Sequence, residues 1–143
     1  MKITRITTST PALAQAICQL LGDLSSKPRQ FGTSELDRII ATPTTHLYLA
    51  FDSTTLKPIG MYTLALCQLP TGTRLWLEDV VVSRAHQGQG LGRQLVEHAI
   101  SQARQHWPGA TMMLTSRPSR QAANSLYRTL FNNKETNVYQ LEL

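Results

Sequence analysis

Cysteine is scarce: Cys18 and Cys67 are the only two in 143 residues, and they lie in dissimilar segments without ligand-like spacing. A disulfide framework and a zinc site are thereby excluded, and both thiols read as small buried hydrophobes. His46, His86, His98 and His106 form no metal-binding pattern, so no metal is expected. No apolar run approaches the ~20 residues of a bilayer span. Residues 1–5 also lack the apolar core of a signal peptide, and a cytoplasmic protein with no membrane partner is the expectation. Acids are in short supply too, 9 against 14 Lys plus Arg, giving a net charge of +5 that favours anionic partners. Nucleic acid is not favoured among these, because there is no long basic helix and no interleaving of basic with aromatic residues.

What is present is an ordinary globular composition, with 41% hydrophobic residues and scattered Gly and Pro, sized for a single domain over 1–143. Residues 2–7 alternate around Ile3 and Ile6 as a strand. Thr10 and Pro11 then cap a helix carrying Leu13, Ile17, Leu20 and Leu21 on one face, with Gly22 as its stop and a loop over 22–32. Ser34 is read as the cap of a second helix with Leu36, Ile39 and Ile40, ended by Pro43. Residues 46–51 and 59–67 form a hairpin across Asp52-Ser53-Thr54-Thr55. Residues 69–74, with Pro70 and Gly72, are expected to break the pairing before a buried strand at 75–83. An amphipathic helix follows at 91–107, a short strand at 111–115, a helix capped by Ser119, and a closing strand at 137–143. The order is β-α-α-β-β-β-α-β-α-β: an α/β fold with a mixed sheet, in which the strands at 75 and 111 run parallel because a helix separates them.

Gln87-Gly88-Gln89-Gly90-Leu91-Gly92 falls where the buried strand gives way to the amphipathic helix. The first turn of a helix leaves its N–H groups unpaired and carries a partial positive charge, and three glycines in five residues clear the approach. A phosphate or diphosphate is the natural guest. The turn is not a P-loop, since Arg93 and Gln94 follow Gly92. Nor is it a dinucleotide fingerprint, which would need glycine at Arg93 and an acid about 20 residues on. No acid occurs between Glu97 and Glu135, while Arg104, Arg117, Arg120, Arg128 and Lys134 do.

Gln87, Gly90 and Gly92 after a buried strand, the strand segment Leu77-Glu78-Asp79-Val80-Val81-Val82, and the late segment Ala122-Ala123-Asn124-Ser125-Leu126-Tyr127 resemble the GNAT superfamily of acetyl-CoA-dependent N-acetyltransferases. The resemblance implies a GNAT-like mixed sheet flanked by helices. It implies that backbone groups of Gln87, Gly88, Gln89, Gly90, Leu91, Gly92 and Arg93 hold the CoA diphosphate. Val80, Val81 and Val82 would offer strand groups to the pantetheine arm, in a slot opened by a β-bulge and two splayed parallel strands. Asn124 would face the cofactor, and Tyr127 would be the general acid for the departing thiolate. Glu78 is the candidate base; strand alternation sends it and Asp79 to opposite faces. The Gly-Phe pair common after the family's tyrosine is missing, and Asn132 or Asn133 is expected to take the left-handed conformation instead. The function implied is acetyl transfer from acetyl-CoA to a primary amine of an unidentified small molecule or peptide, with a non-catalytic acyl-CoA-binding module as the alternative. A homodimer paired through the closing strand is compatible with this reading.

Overall fold

A computed structural model describes residues 1–27 and 29–143; Pro28, in the expected 22–32 loop, lies outside the described residues. The elements are β1 (Lys2–Arg5), α1 (Pro11–Leu24), α2 (Thr33–Ala41), β2 (Thr45–Phe51), β3 (Pro58–Leu69), β4 (Gly72–Val82), a 3-10 turn (Arg84–His86), α3 (Leu91–His106), β5 (Thr111–Met113) and α4 (Gln121–Leu130). They build one mixed sheet in the order β1-β2-β3-β4-β5. β1 to β4 pair antiparallel in succession, and β5 is parallel to β4. Among the described residues no helix is long and apolar enough to cross a membrane.

Strand alternation divides the core in two. Leu47, Leu49 and Met61 face α1 and α2, where they meet Ile17, Leu20 and Leu36. Their neighbours Tyr48, Ala50 and Tyr62 face α3, where they meet Leu95, Val96 and Ala99. Burial of a side chain such as Leu95 is worth about 1.5–3 kcal/mol. The second layer also holds polar groups in pairs: Tyr62 Oη lies 2.6 Å from His98 Nδ1, and Tyr48 Oη donates to Gln102 Oε1 at 3.3 Å. Close approach of α3 needs Gly60, because a Cβ there would stand 2.9 Å from the Val81 carbonyl oxygen and 3.1 Å from Leu95 Cδ1. That contact sets α3, and with it the glycine turn at its start, tightly on the end of β4.

The element order holds as far as α4, and several boundaries shift for local reasons. Thr10 caps α1 as expected, its hydroxyl accepting from Leu13 N–H at 3.2 Å, but the helix runs through Gly22 to Leu24 because Leu20, Leu21 and Leu24 are packed. Gly32, not Ser34, precedes α2, with the Glu35 carboxylate accepting the Gly32 N–H at 2.9 Å. Pro70 and Gly72 do not interrupt the sheet: β3 and β4 pair from Gly60 to Leu69, because Pro70-Thr71 form a two-residue turn and Gly72 supplies a φ of 118°. Arg120 takes the capping position expected of Ser119. Asn132 and Asn133 are not left-handed; the chain leaves α4 extended at Phe131 (φ −127°, ψ 152°). The closing strand expected at 137–143 is absent, since residues 132–143 lie outside any element and are exposed.

Candidate active site

The site begins with a failure of strand pairing. β4 is paired to β5 only over Arg74, Leu75 and Trp76, so from Leu77 onward its edge on that side has no strand partner among the described residues. Three residues further on, β4 carries a bulge: Thr63 pairs with Glu78 and Met61 with Val81, which leaves Asp79 and Val80 opposite Tyr62 alone. Asp79 takes a left-handed φ of 53° to accommodate the extra residue. Alternation is therefore lost at this point. Glu78 and Asp79 do not diverge to opposite faces as the sequence pattern predicts, for Asp79 Oδ2 accepts from Thr63 Oγ1 at 3.4 Å, and Thr63 is the residue across from Glu78.

Beyond Val82 the chain turns through residues 84–86 and enters the glycine segment. Gly88 and Gly90 have φ of 77° and 76°, a conformation that a side chain at Cβ would strain. Gly90 is the N-cap of α3 and makes no side-chain cap; the first intrahelical donor is Gln94, to the Gly90 carbonyl. The N–H groups of Leu91, Gly92 and Arg93 thus open outward. The turn is anchored on both sides: Gln87 Nε2 donates to the Val82 carbonyl at 3.1 Å, and Arg84 forms an ion pair with Asp23 of α1 at 3.1 Å.

Helix α4 closes the opposite wall. Between it, β4 and the glycine turn lies a cleft of about 460 Å³, lined by Val80, Val81, Val82, Gly90, Gly92 and Tyr127 among others. Arg120 spans its mouth, donating to the Leu24 carbonyl at 3.2 Å. Asp23 is the only acid in the lining and is already paired. Open amides, left-handed glycines and a bordering arginine suit a diphosphate, and the unpaired β4 edge suits an extended amide-bearing arm.

Of the two groups singled out as acid and base, Tyr127 lines the cleft, whereas Glu78 lies outside its lining and acts on the hydroxyl only through its charge. Burial raises the Tyr127 hydroxyl above the usual phenol value, opposed by Arg120 and reinforced by Glu78. Burial likewise raises the Glu78 carboxyl, with the charge of Asp79 adding to it. Tyr127 therefore keeps its proton at neutral pH, and Glu78 is a stronger base than an ordinary carboxylate.

A model of the acetyltransferase (GNAT) family matches residues 14–131. The chain belongs to this family. Among solved structures, an Agrobacterium tumefaciens protein superposes at a TM-score of 0.82 with 21% identity over 100% of both chains. A Trypanosoma brucei acetyltransferase follows at 0.77 and 19% over 99% of each chain. Arabidopsis thaliana glucosamine-6-phosphate N-acetyltransferase aligns at 0.76 and 16%, also over 99% of each. At these identities the likeness is one of fold. No curated protein matches the sequence.

In this GNAT chain the cleft gathers Val80, Val81, Val82, Gln87, Gly88, Gly90, Leu91, Gly92 and Tyr127 from the residues singled out in the sequence. Gln89 is exposed at the turn and outside the lining. Arg93 is outside the lining, and its side chain donates to Glu97 Oε1 at 3.3 Å and Thr129 Oγ1 at 3.0 Å. Asn124 does not line the cleft; its Nδ2 donates to the Arg117 carbonyl at 2.8 Å and fixes the loop before α4. Asp23, Leu24, His86 and Gln121 line the cleft without having been singled out. Asp23 and Leu24 arrive through packing of α1 beside β4, which no local motif announces.

Proposed function

We propose that this GNAT protein moves an acetyl group from acetyl-CoA to a primary amine of a small molecule or peptide. The observation that carries the reading is the juxtaposition, in one cleft, of the open amides of Leu91 to Arg93, the unpaired edge of β4 and the hydroxyl of Tyr127. Acetyl-CoA, when bound, supplies an activated thioester carbonyl. The amides of the glycine turn hold the diphosphate, and Arg120 adds a cation beside it. Backbone groups of Val80 to Val82 align the pantetheine arm as an added strand, and the N–H at Val80 or Val81 polarises the carbonyl. Glu78 accepts the proton of the attacking amine, directly or through a water, and Tyr127 Oη holds the proton that the departing thiolate takes.

Thiol release with a panel of polyamines, amino sugars, amino acids and peptide N-termini tests the proposal. Tyr127→Phe is expected to lower kcat by about 10²–10⁴-fold with CoA affinity unchanged. Silence across the panel with tight CoA binding would instead support a non-catalytic acyl-CoA-binding module.

A further inference from the structure

Among the described residues His86 supplies the only imidazole in the lining of the cleft, and neither the acid, the base nor the glycine turn makes use of it. It ends the 3-10 turn that follows β4 and stands two residues before Gly88, the first left-handed glycine. One side of its ring is fixed. Nδ1 lies 2.8 Å from Ser83 Oγ, and the His86 N–H donates to the Ser83 carbonyl at 2.9 Å. Ser83 in turn donates its N–H to the Ile59 carbonyl at 2.8 Å, which carries the pair on the end of the sheet. Nε2 is left over. It makes no hydrogen bond among the described residues, and the buried side-chain atoms without a partner are elsewhere, on Ser9, His46 and Ser116. The ring is thus half-buried, held at one nitrogen and open at the other.

We propose that His86 is a further coenzyme-binding residue, its Nε2–H donating to a diphosphate oxygen of the bound acyl-CoA, with Ser83 as the residue that positions the ring. This rests on the reading of the cleft as a CoA site. Val80 to Val82 take the pantetheine arm there and Leu91 to Arg93 the diphosphate, and His86 stands in the chain between the two. An anion at Nε2 requires the proton on that nitrogen, and the Ser83 hydroxyl serves the matching tautomer by donating to Nδ1. In the imidazolium both nitrogens donate, Ser83 Oγ then accepts from Nδ1, and the bond from Nε2 is charge-assisted. The coenzyme is therefore held more tightly by the protonated ring, and binding draws a proton to it. The neighbouring charges are otherwise engaged. Arg84 on the same turn pairs with Asp23 of α1 at 3.1 Å, and Arg120, before α4, donates to the Leu24 carbonyl. Asp52, in the turn after β2, lies within range of the imidazole's charge, but its Oδ1 accepts from the N–H groups of Thr54 and Thr55 at 3.0 and 2.7 Å. No carboxylate is hydrogen-bonded to Nε2 among the described residues, which leaves that donor to the ligand.

Calorimetry with dephospho-CoA tests this, because its diphosphate diester keeps one charge state between about pH 5 and pH 8, the range in which a histidine changes charge. Wild-type affinity is expected to be about tenfold higher at the acid end than at the basic end, and proton uptake on binding should make the enthalpy depend on the buffer. His86→Gln keeps a donor that does not titrate, so both the pH dependence and the proton uptake should vanish. His86→Phe should bind about tenfold more weakly than wild type at the acid end. Ser83→Ala should lower affinity severalfold and keep the pH dependence, with circular dichroism and thermal unfolding unchanged in all three variants. A pH dependence that persists in His86→Gln, or affinities equal to wild type throughout, overturns the role of His86 and leaves the coenzyme site standing. Wild-type protein that binds neither dephospho-CoA nor CoA overturns the coenzyme site as well.

Discussion

Helices α3 and α4 lie on the same face of the sheet and are held there by opposite means. α3 buries Leu95, Val96, Ala99 and Ala103 and sits on Gly60 with no room for another carbon. α4 has no fully buried residue; partly buried Leu126, Tyr127 and Leu130 rest on the core. Polar ties hold its ends, from Arg93 to Thr129 and from Arg120 to the Leu24 carbonyl. The helix that begins the anion site is thus fixed by packing, whereas the one that carries Tyr127 rests on a few directional contacts. Elements of the second kind open at lower free energy than the core, which suits a wall that must admit an acceptor.

The sharpest way to test the packed side is Gly90→Asp. Aspartate tolerates a left-handed backbone better than most side chains, so the fold should survive while the carboxylate repels the diphosphate. CoA binding measured by calorimetry is expected to disappear, and an unchanged affinity would remove the anion site from this turn. Next comes a paired stability measurement: Leu95→Ala should lose about 2–5 kcal/mol in denaturant unfolding, and Leu126→Ala on α4 about 1 kcal/mol. Equal losses would erase the contrast between the helices.

Glu78 gives a smaller, pH-dependent effect. Because burial, with the charge of Asp79, holds the Glu78 carboxyl above its ordinary value, the acidic limb of kcat/KM should lie above the usual carboxylate range, with activity lost as pH falls through it and the base becomes protonated. Glu78→Gln should remove that limb; a limb that persists assigns the proton transfer elsewhere. The smallest change is expected from Arg93→Ala, which frees Thr129 and costs about 0.5–1.5 kcal/mol of stability. A severalfold loss in kcat with unchanged CoA affinity would show that this tie positions Tyr127, and rescue by Arg93→Lys would attribute it to the donor.

The same contrast explains what the sequence disclosed. The glycine turn and the stripe of α3 are local patterns, and the parallel return through β5 follows from the helix that separates two strands. Pro70-Thr71 could not be read as a continuing hairpin, because composition marks a turn without showing that the strands on either side stay in register. Nor could the path of Arg93, whose bond to Thr129 joins segments that only packing brings together. The closing segment at 137–143 alternates as a strand does, but alternation supplies half of a ladder, and the other half must come from an edge able to receive it.

The bulge at Asp79 has a consequence for the whole end of β4. By inserting one position against Tyr62, it resets the phase of the strand, so that Val81 enters the core beneath α1 while Val80 and Val82 turn toward α3 and α4. Removing that one residue would exchange inside for outside along everything that follows, up to the first glycine of the turn. The spare residue is therefore the frame in which the rest of the cleft is written.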